Sequence, residues 1–135
     1  MRRIMSSRMK QFDVEVEDKL GALANLCELI ASNAINIKAI ATNGSGCVKI
    51  VTEDEATTRE ALKKAKLLFS ENDIMGLRLL DRPGELAKIT RVLANQKINI
   101  NSVYLLGKDS ERKETEVAIQ VSDIGAATKV LSQLS

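Results

Sequence analysis

A chain of 135 residues with no histidine and no tryptophan cannot build a Ser-His-Asp triad, a Cys-His pair or an imidazole-ligated metal site. Apolar residues make up 44% and charged residues 28%, the balance of a soluble globular protein, and two isolated cysteines fit a reducing compartment. The net charge of +2 rests on Arg2, Arg3, Arg8 and Lys10, so residues 11–135 carry no basic surplus and binding to nucleic-acid phosphates is disfavoured.

Residues 1–10 read as a flexible basic leader; no apolar run follows it, so it is not a secretory signal. Phe12, Val14 and Val16 then alternate with Asp13, Glu15 and Glu17, the period of a half-buried strand. Leu23, Leu26, Cys27 and Ile30 fall on one face of a helix, with Cys27 read as a small core residue. A polar break leads to a second strand at about 36–43 and a third at Val48–Thr52. Glu53-Asp54-Glu55 open a closing helix whose apolar face is Leu62, Ala65, Leu68 and Phe69 and whose solvated face is Lys63, Lys64 and Lys66. The pattern then starts again. Met75, Leu77 and Leu79 form a strand, and Leu86, Ile89, Val92 and Leu93 a helix. A strand at about 99–106, a charged hairpin tip at Lys108–Lys113 and a strand at Glu116–Val121 follow. Ala127, Val130, Leu131 and Leu134 mark the last helix. Apolar stretches are interrupted by Asn25, Glu28, Ser32 and Asn33, too often for a membrane span. A cytoplasmic protein is expected.

Residues 18–44 and 81–107 align without a gap at an offset of 63, with nine of 27 positions identical. The identities include Asp18/Asp81, Gly21/Gly84, Leu23/Leu86, Ile35/Ile98, Asn36/Asn99 and Ile37/Ile100. Beyond the hairpin tip the offset grows to 69, pairing Val48, Ile50 and Thr52 with Val117, Ile119 and Val121. The chain is one unit written twice, over residues 11–73 and 74–135.

Each unit reads β-α-β-β-α, most of a ferredoxin-like βαββαβ unit of the α+β class, with helices covering one side of an antiparallel sheet. The fourth strand is missing from both. A three-stranded sheet would leave one edge of each first strand bare, an aggregation hazard. The two units are therefore expected to cover each other's edges, by pairing or exchanging strands, in one body with a continuous sheet.

Asp81-Arg82-Pro83-Gly84-Glu85-Leu86 joins a strand to a helix, where proline suits the first turn and glycine a tight turn or a close-approaching ligand. Unpaired amides and the positive helix end there suit a carboxylate, worth ~0.3–1 kcal/mol. Taken singly, such a turn, or an asparagine before a strand, is ordinary structure. Together, D-[RK]-P-G-x-L-A, a helix of about a dozen residues and I-N-I opening a strand resemble the ACT domain, a small-molecule-binding regulatory module. The resemblance covers residues 11–135 in two copies, as in stand-alone two-ACT proteins.

The resemblance implies amino-acid binding at an interface between two ACT units, with a strand-to-helix loop from one and the start of the second strand from its neighbour. Carried over, Asp81, Arg82, Pro83, Gly84, Glu85 and Leu86 would supply backbone amides. Asn99, beside Ile100, would bind the ligand's carboxylate or ammonium. Gly21, Leu23 and Asn36 are the matching first-copy positions, with Leu20 in place of proline. It implies a non-catalytic sensor, a homodimer, without cofactor or metal. The alternative is a regulatory subunit docking on an amino-acid biosynthetic enzyme. A ferredoxin-like RNA-binding module would need more aromatics and a basic face than Phe12, Phe69, Tyr104 and this charge balance offer.

Overall fold

The computed structural model describes residues 4–17 and 20–134; Asp18, like Arg2 and Arg3 of the leader, lies outside them. In chain order the elements are β1 (Met5–Glu15), α1 (Ala22–Ser32), β2 (Ile37–Thr42), β3 (Cys47–Thr52), α2 (Glu55–Lys64), β4 (Phe69–Leu80), α3 (Glu85–Asn95), β5 (Ile100–Asp109), β6 (Glu114–Val121) and α4 (Ile124–Ser132). The chain divides into two compact units: Lys10–Asn72, here the first, and Asp73–Ser135 joined by the N-terminal residues up to Met9, here the second.

In the first unit β3 pairs antiparallel with both β1 and β2, in a register that sets Phe12 and Ile40 against Ile50. The alternation of β1 and β3 places Phe12, Val14, Val48 and Ile50 on one face. Leu26 and Ile30 of α1, with Ala61 and Leu62 of α2, cover that face. Each such side chain stabilises the unit by ~1.5–3 kcal/mol through the apolar area it removes from water. The second unit repeats the plan, with β6 between β4 and β5. Met75, Leu77, Leu79, Val117 and Ile119 lie beneath Ile89 and Leu93 of α3 and Ala127 and Leu131 of α4.

The missing fourth strands come from the two long strands. The hydrogen-bonded order is β2-β3-β1-β4-β6-β5, a six-stranded sheet that leaves neither β1 nor β4 at an edge. Within the first unit the start of β4 lies beside β1: the Glu15 N–H donates to the Leu68 carbonyl at 2.9 Å, and the Phe12 and Phe69 rings stand 6.0 Å apart. Within the second, the start of β1 completes the sheet, and Ile4 packs on its core. Residues 1–10 are therefore not a flexible leader as a whole, because Met5–Lys10 are strand. The backbone of residues 5–9 has an open ladder of β4 to pair with, which the basic composition of the segment conceals.

Two other readings change. The closing helix of the first copy stops at Lys64, and Lys66 takes a left-handed turn at φ 59°. Phe69 consequently serves the core from a strand, while Leu68 is exposed. Cys27 is half-buried at the margin of its core rather than within it. Among the described residues no helix is long and apolar enough to cross a membrane.

Candidate functional site

The four helices begin in two ways. Asp54 and Asp123 cap α2 and α4, their carboxylates accepting from the Thr57 and Ala126 N–H groups at 3.0 Å. The Asp54 carboxyl lies below its ordinary pKa, first because the Thr57 hydroxyl donates to it and then because the Thr57 N–H does. The Glu53-Asp54-Glu55 run thus starts a helix. By contrast, α1 and α3 start at Gly21 (φ 87°, ψ −6°) and Gly84 (φ 89°, ψ −11°), and no side chain caps either. The first helical bonds run from Asn25 N–H to the Gly21 carbonyl at 2.9 Å and from Lys88 N–H to the Gly84 carbonyl at 3.0 Å. The amides of residues 22–24 and 85–87 precede those bonds, at the positive end of each helix dipole. A Cβ on either glycine would meet nothing within 4 Å. Glycine is required by φ rather than by crowding, and the space before these amides is open.

The second junction is the better braced. The Asp81 N–H donates to the Lys113 carbonyl at 2.8 Å, and the Asp81 carboxylate is 3.4 Å from the Lys108 ammonium. Arg82 and Glu85 pair with each other at 2.6 Å. Their side chains are thereby occupied, so the junction offers chiefly backbone amides beside exposed Pro83 and partly exposed Leu86. In the first unit the matching Leu20 is fully exposed and Leu23 is 42% exposed.

At the other end of α3, the Asn99 N–H donates to Ser122 Oγ at 3.1 Å and its carbonyl accepts the Ser122 N–H at 2.9 Å. Asn99 Nδ2 donates to Asn101 Oδ1 at 2.9 Å, which orients the amide and turns its oxygen into the available acceptor. Ile100, next to it, is half-buried against the core. Asn36 repeats the backbone arrangement, accepting the Glu53 N–H at 3.1 Å. Its side chain is exposed and makes no hydrogen bond among the described residues, because Lys38 stands where the second copy has Asn101.

Neither unit brings its own loop and asparagine together. Gly84 precedes α3 and Asn99 follows it, so eleven helical residues separate them, a rise of about 16 Å. Gly21 and Asn36 are kept apart by α1 in the same way. No ligand of amino-acid size spans that rise, so neither unit by itself offers both kinds of group to one such ligand.

A cleft that the sequence did not disclose lies in the first unit, with a volume of about 550 Å³. Leu26, Leu29 and Leu67 form its apolar wall and Glu15, Asn25 and Lys66 its polar rim. The expected helix through Phe69 hid it, since only the turn at Lys66 swings Leu67 and Leu68 into place. Among the described residues no group of three or more Cys, Asp or Glu side chains gathers to hold a metal ion.

Comparison with known proteins agrees with this architecture. A family model described as an ACT domain pair matches residues 7–110. A protein from Bacteroides thetaiotaomicron has a similar structure, with 26% identity, a TM-score of 0.81, and coverage of 93% of this chain and 88% of that one. The ligand-free regulatory subunit of aspartate kinase from Thermus thermophilus is similar at 17% identity and a TM-score of 0.60, covering 98% and 96%. Escherichia coli aspartokinase III in complex with lysine and aspartate shares 15% identity at a TM-score of 0.61, over 98% of this chain and 32% of that one. No curated protein sequence matches.

Proposed function

The chain belongs to the ACT domain family as an ACT domain pair, and from that premise we propose that it is a non-catalytic, cytoplasmic sensor binding a free amino acid between ACT units. The observation that carries the reading is the contrast among helix starts: two are closed by aspartate, while the two that open the repeat are left uncapped at left-handed glycines. Their amides suit the ligand's carboxylate, and an asparagine from a neighbouring unit suits its ammonium. With about ten heavy atoms, such a ligand reaches roughly micromolar affinity. Because one unit cannot supply both groups, binding favours one packing of units over others, which is the requirement for passing a signal. The chain acts in this reading as a homodimer.

The test is a thermal-shift screen against the twenty amino acids at millimolar concentration, beginning with lysine and aspartate. A ligand at a hundred times its dissociation constant adds about 2.7 kcal/mol of stability. A melting temperature that none of the twenty raises would sink the sensor reading.

A second reading has a specific observation behind it: several similar structures are regulatory subunits or domains of aspartate kinase. In it the pair docks on an amino-acid biosynthetic enzyme and responds to the end product. Copurification with an amino-acid kinase of the same cell, released by the screened ligand, is the expected result. Persistent failure to capture one would leave the stand-alone sensor.

A further inference from the structure

The two segments that complete the sheets, residues 69–73 in the first unit and 4–9 in the second, carry different side chains at matched places. At the offset of 63, Ser6 and Arg8 answer Phe69 and Glu71. Phe69 packs on the first core, and Glu71 is held by Arg59. In the second unit Thr128 stands where the first has Arg59, and its hydroxyl donates to the Ile124 carbonyl at 2.7 Å. Arg8 is exposed and has no ion-pair partner among the described residues.

Hydrogen bonds fix which way the backbone of β1 points. The Glu15 N–H reaches the Leu68 carbonyl, so odd-numbered residues bond toward β4. The Val16 N–H reaches the Gly46 carbonyl at 2.9 Å, so even-numbered residues bond toward β3. Although β1 lies inside the sheet order, β3 accompanies it only along Phe12–Glu15, and the Lys10 N–H is taken by Glu55 Oε2 at 3.2 Å. Ahead of Lys10, the backbone groups of Arg8 and Ser6 therefore point away from β4, with no strand beside them among the described residues. The segment is held from both faces. Ile4 packs on the second core, and Ser7 and Met9 stand over Gly76, where a Cβ would come within 3.0 Å of Ser7 Oγ and 2.8 Å of Met9 Cε.

We propose that residues 4–9 are a docking edge for an extended acidic segment of another protein, which joins the sheet of the second unit as a further strand. The N–H and carbonyl groups of Ser6 and Arg8 supply the main-chain hydrogen bonds, and the Arg8 guanidinium pairs with a carboxylate of the incoming strand. A second copy is the wrong occupant. Its residues 4–9 would bring one Arg8 toward another, and on its residues 69–73 the acid Glu71 is already bound to Arg59. The docking edge goes beyond the amino-acid-sensor reading and does not rest on it.

The probe is a fluorescein-labelled peptide of alternating glutamate and valine, about eight residues long, with a lysine-for-glutamate peptide as control. Fluorescence anisotropy at low salt should show the acidic peptide binding at least about tenfold more tightly than the basic one. Arg8→Glu should remove that preference. Ser6→Pro deletes an outward N–H and leaves the bonds to β4 in place, so the fold should persist while binding falls about fivefold or more. Amide exchange reads the place directly. Ser6 and Arg8 should exchange fast in the free protein, beside slow Ser7 and Met9, and should slow when the acidic peptide is added. Equal binding of the two peptides, an unaffected Ser6→Pro chain, or no protection of Ser6 and Arg8 overturns the proposal. So does protection of those two amides by self-association alone, which would assign the edge to a second copy.

Discussion

The two strand-to-helix junctions of the repeat have the same backbone and different furnishings. Gly21 and Gly84 adopt nearly the same left-handed conformation, and both leave their helix uncapped. Around Gly84 the chain adds Pro83, the Asp81–Lys108 contact and the Arg82–Glu85 pair. Around Gly21 it exposes Leu20 and opens a cleft beneath α1. Asn99 is held by Asn101, and Asn36 is not. Backbone geometry is thus the common property of the repeat, while rigidity is concentrated in one copy. A prearranged loop loses less conformational entropy on binding, so the second copy should present the tighter half of any site.

Substitutions at matched positions can break this comparison. The largest effect is expected in the cores. Ile50→Ala and Ile119→Ala remove equivalent, fully buried side chains, and each should cost ~2–5 kcal/mol by denaturant unfolding. Because β1 and β4 each contribute to both units, either change should lower a single shared transition; two separated transitions would show that the repeats unfold independently. Next come the glycines. Valine at position 84 or 21 must hold a β-branched residue near φ +88°, at ~1–2 kcal/mol each. Calorimetry should also show weaker amino-acid binding for both, with the greater loss for Gly84→Val, and equal losses would remove the distinction between the copies.

The caps sharpen the contrast from the other side. Asp54→Ala and Asp123→Ala should each lower stability by ~1 kcal/mol and leave amino-acid affinity unchanged. A large loss of affinity would mean that α2 and α4 take part in the site. The smallest effect belongs to an ion pair of the first unit, Arg59 to Glu71, bidentate at 2.6 and 2.7 Å. The hydrogen bond from Arg59 holds the Glu71 carboxyl below its ordinary pKa, with the charges of Arg59, Lys10 and Lys63 adding to it. A depressed carboxylate pKa contributes stability above the unfolded value and loses it as pH falls through the folded one. The pair is solvent-screened, so its contribution to stability is small. Melting curves of Glu71→Gln should run below the parent at neutral pH, and the gap should close only as pH falls beneath the ordinary glutamate range, through the depressed folded-state pKa. A constant gap across that range would remove the pair from the account.

Much of this was legible in the residues, for identifiable reasons. Alternation at Phe12, Val14 and Val16 and helical spacing at Leu26 and Ile30 are local signals, and burial obeys them. The repeat supplied a second reading of each element. It also exposed the missing fourth strands, and hence the need to cover two edges. What stayed hidden depends on distant partners. Nothing in Met5–Met9 marks it as a strand, since its pairing lies some seventy residues further on. The end of α2 was misplaced because Leu68 and Phe69 continue a helical spacing while the turn at Lys66 carries no glycine or proline to announce it. The asparagines were found through the motif, but sequence spacing could not show that a whole helix separates each from its own glycine.

The shared strand also sets an order of events during synthesis. The first unit has all its parts once residue 72 has left the ribosome, with Phe69 and Glu71 in reach of Phe12 and Arg59. Residues 4–9 are made earlier still, yet their place in the second unit does not exist until β4 emerges. At roughly 5–20 residues per second, the eight residues that finish β4 take about a second, and for that time residues 4–9 wait as an unpaired strand end on a finished neighbour. During that interval another nascent chain can occupy the open edge. Arg8 places positive charge on that segment while it waits and so opposes its pairing with a second copy of itself.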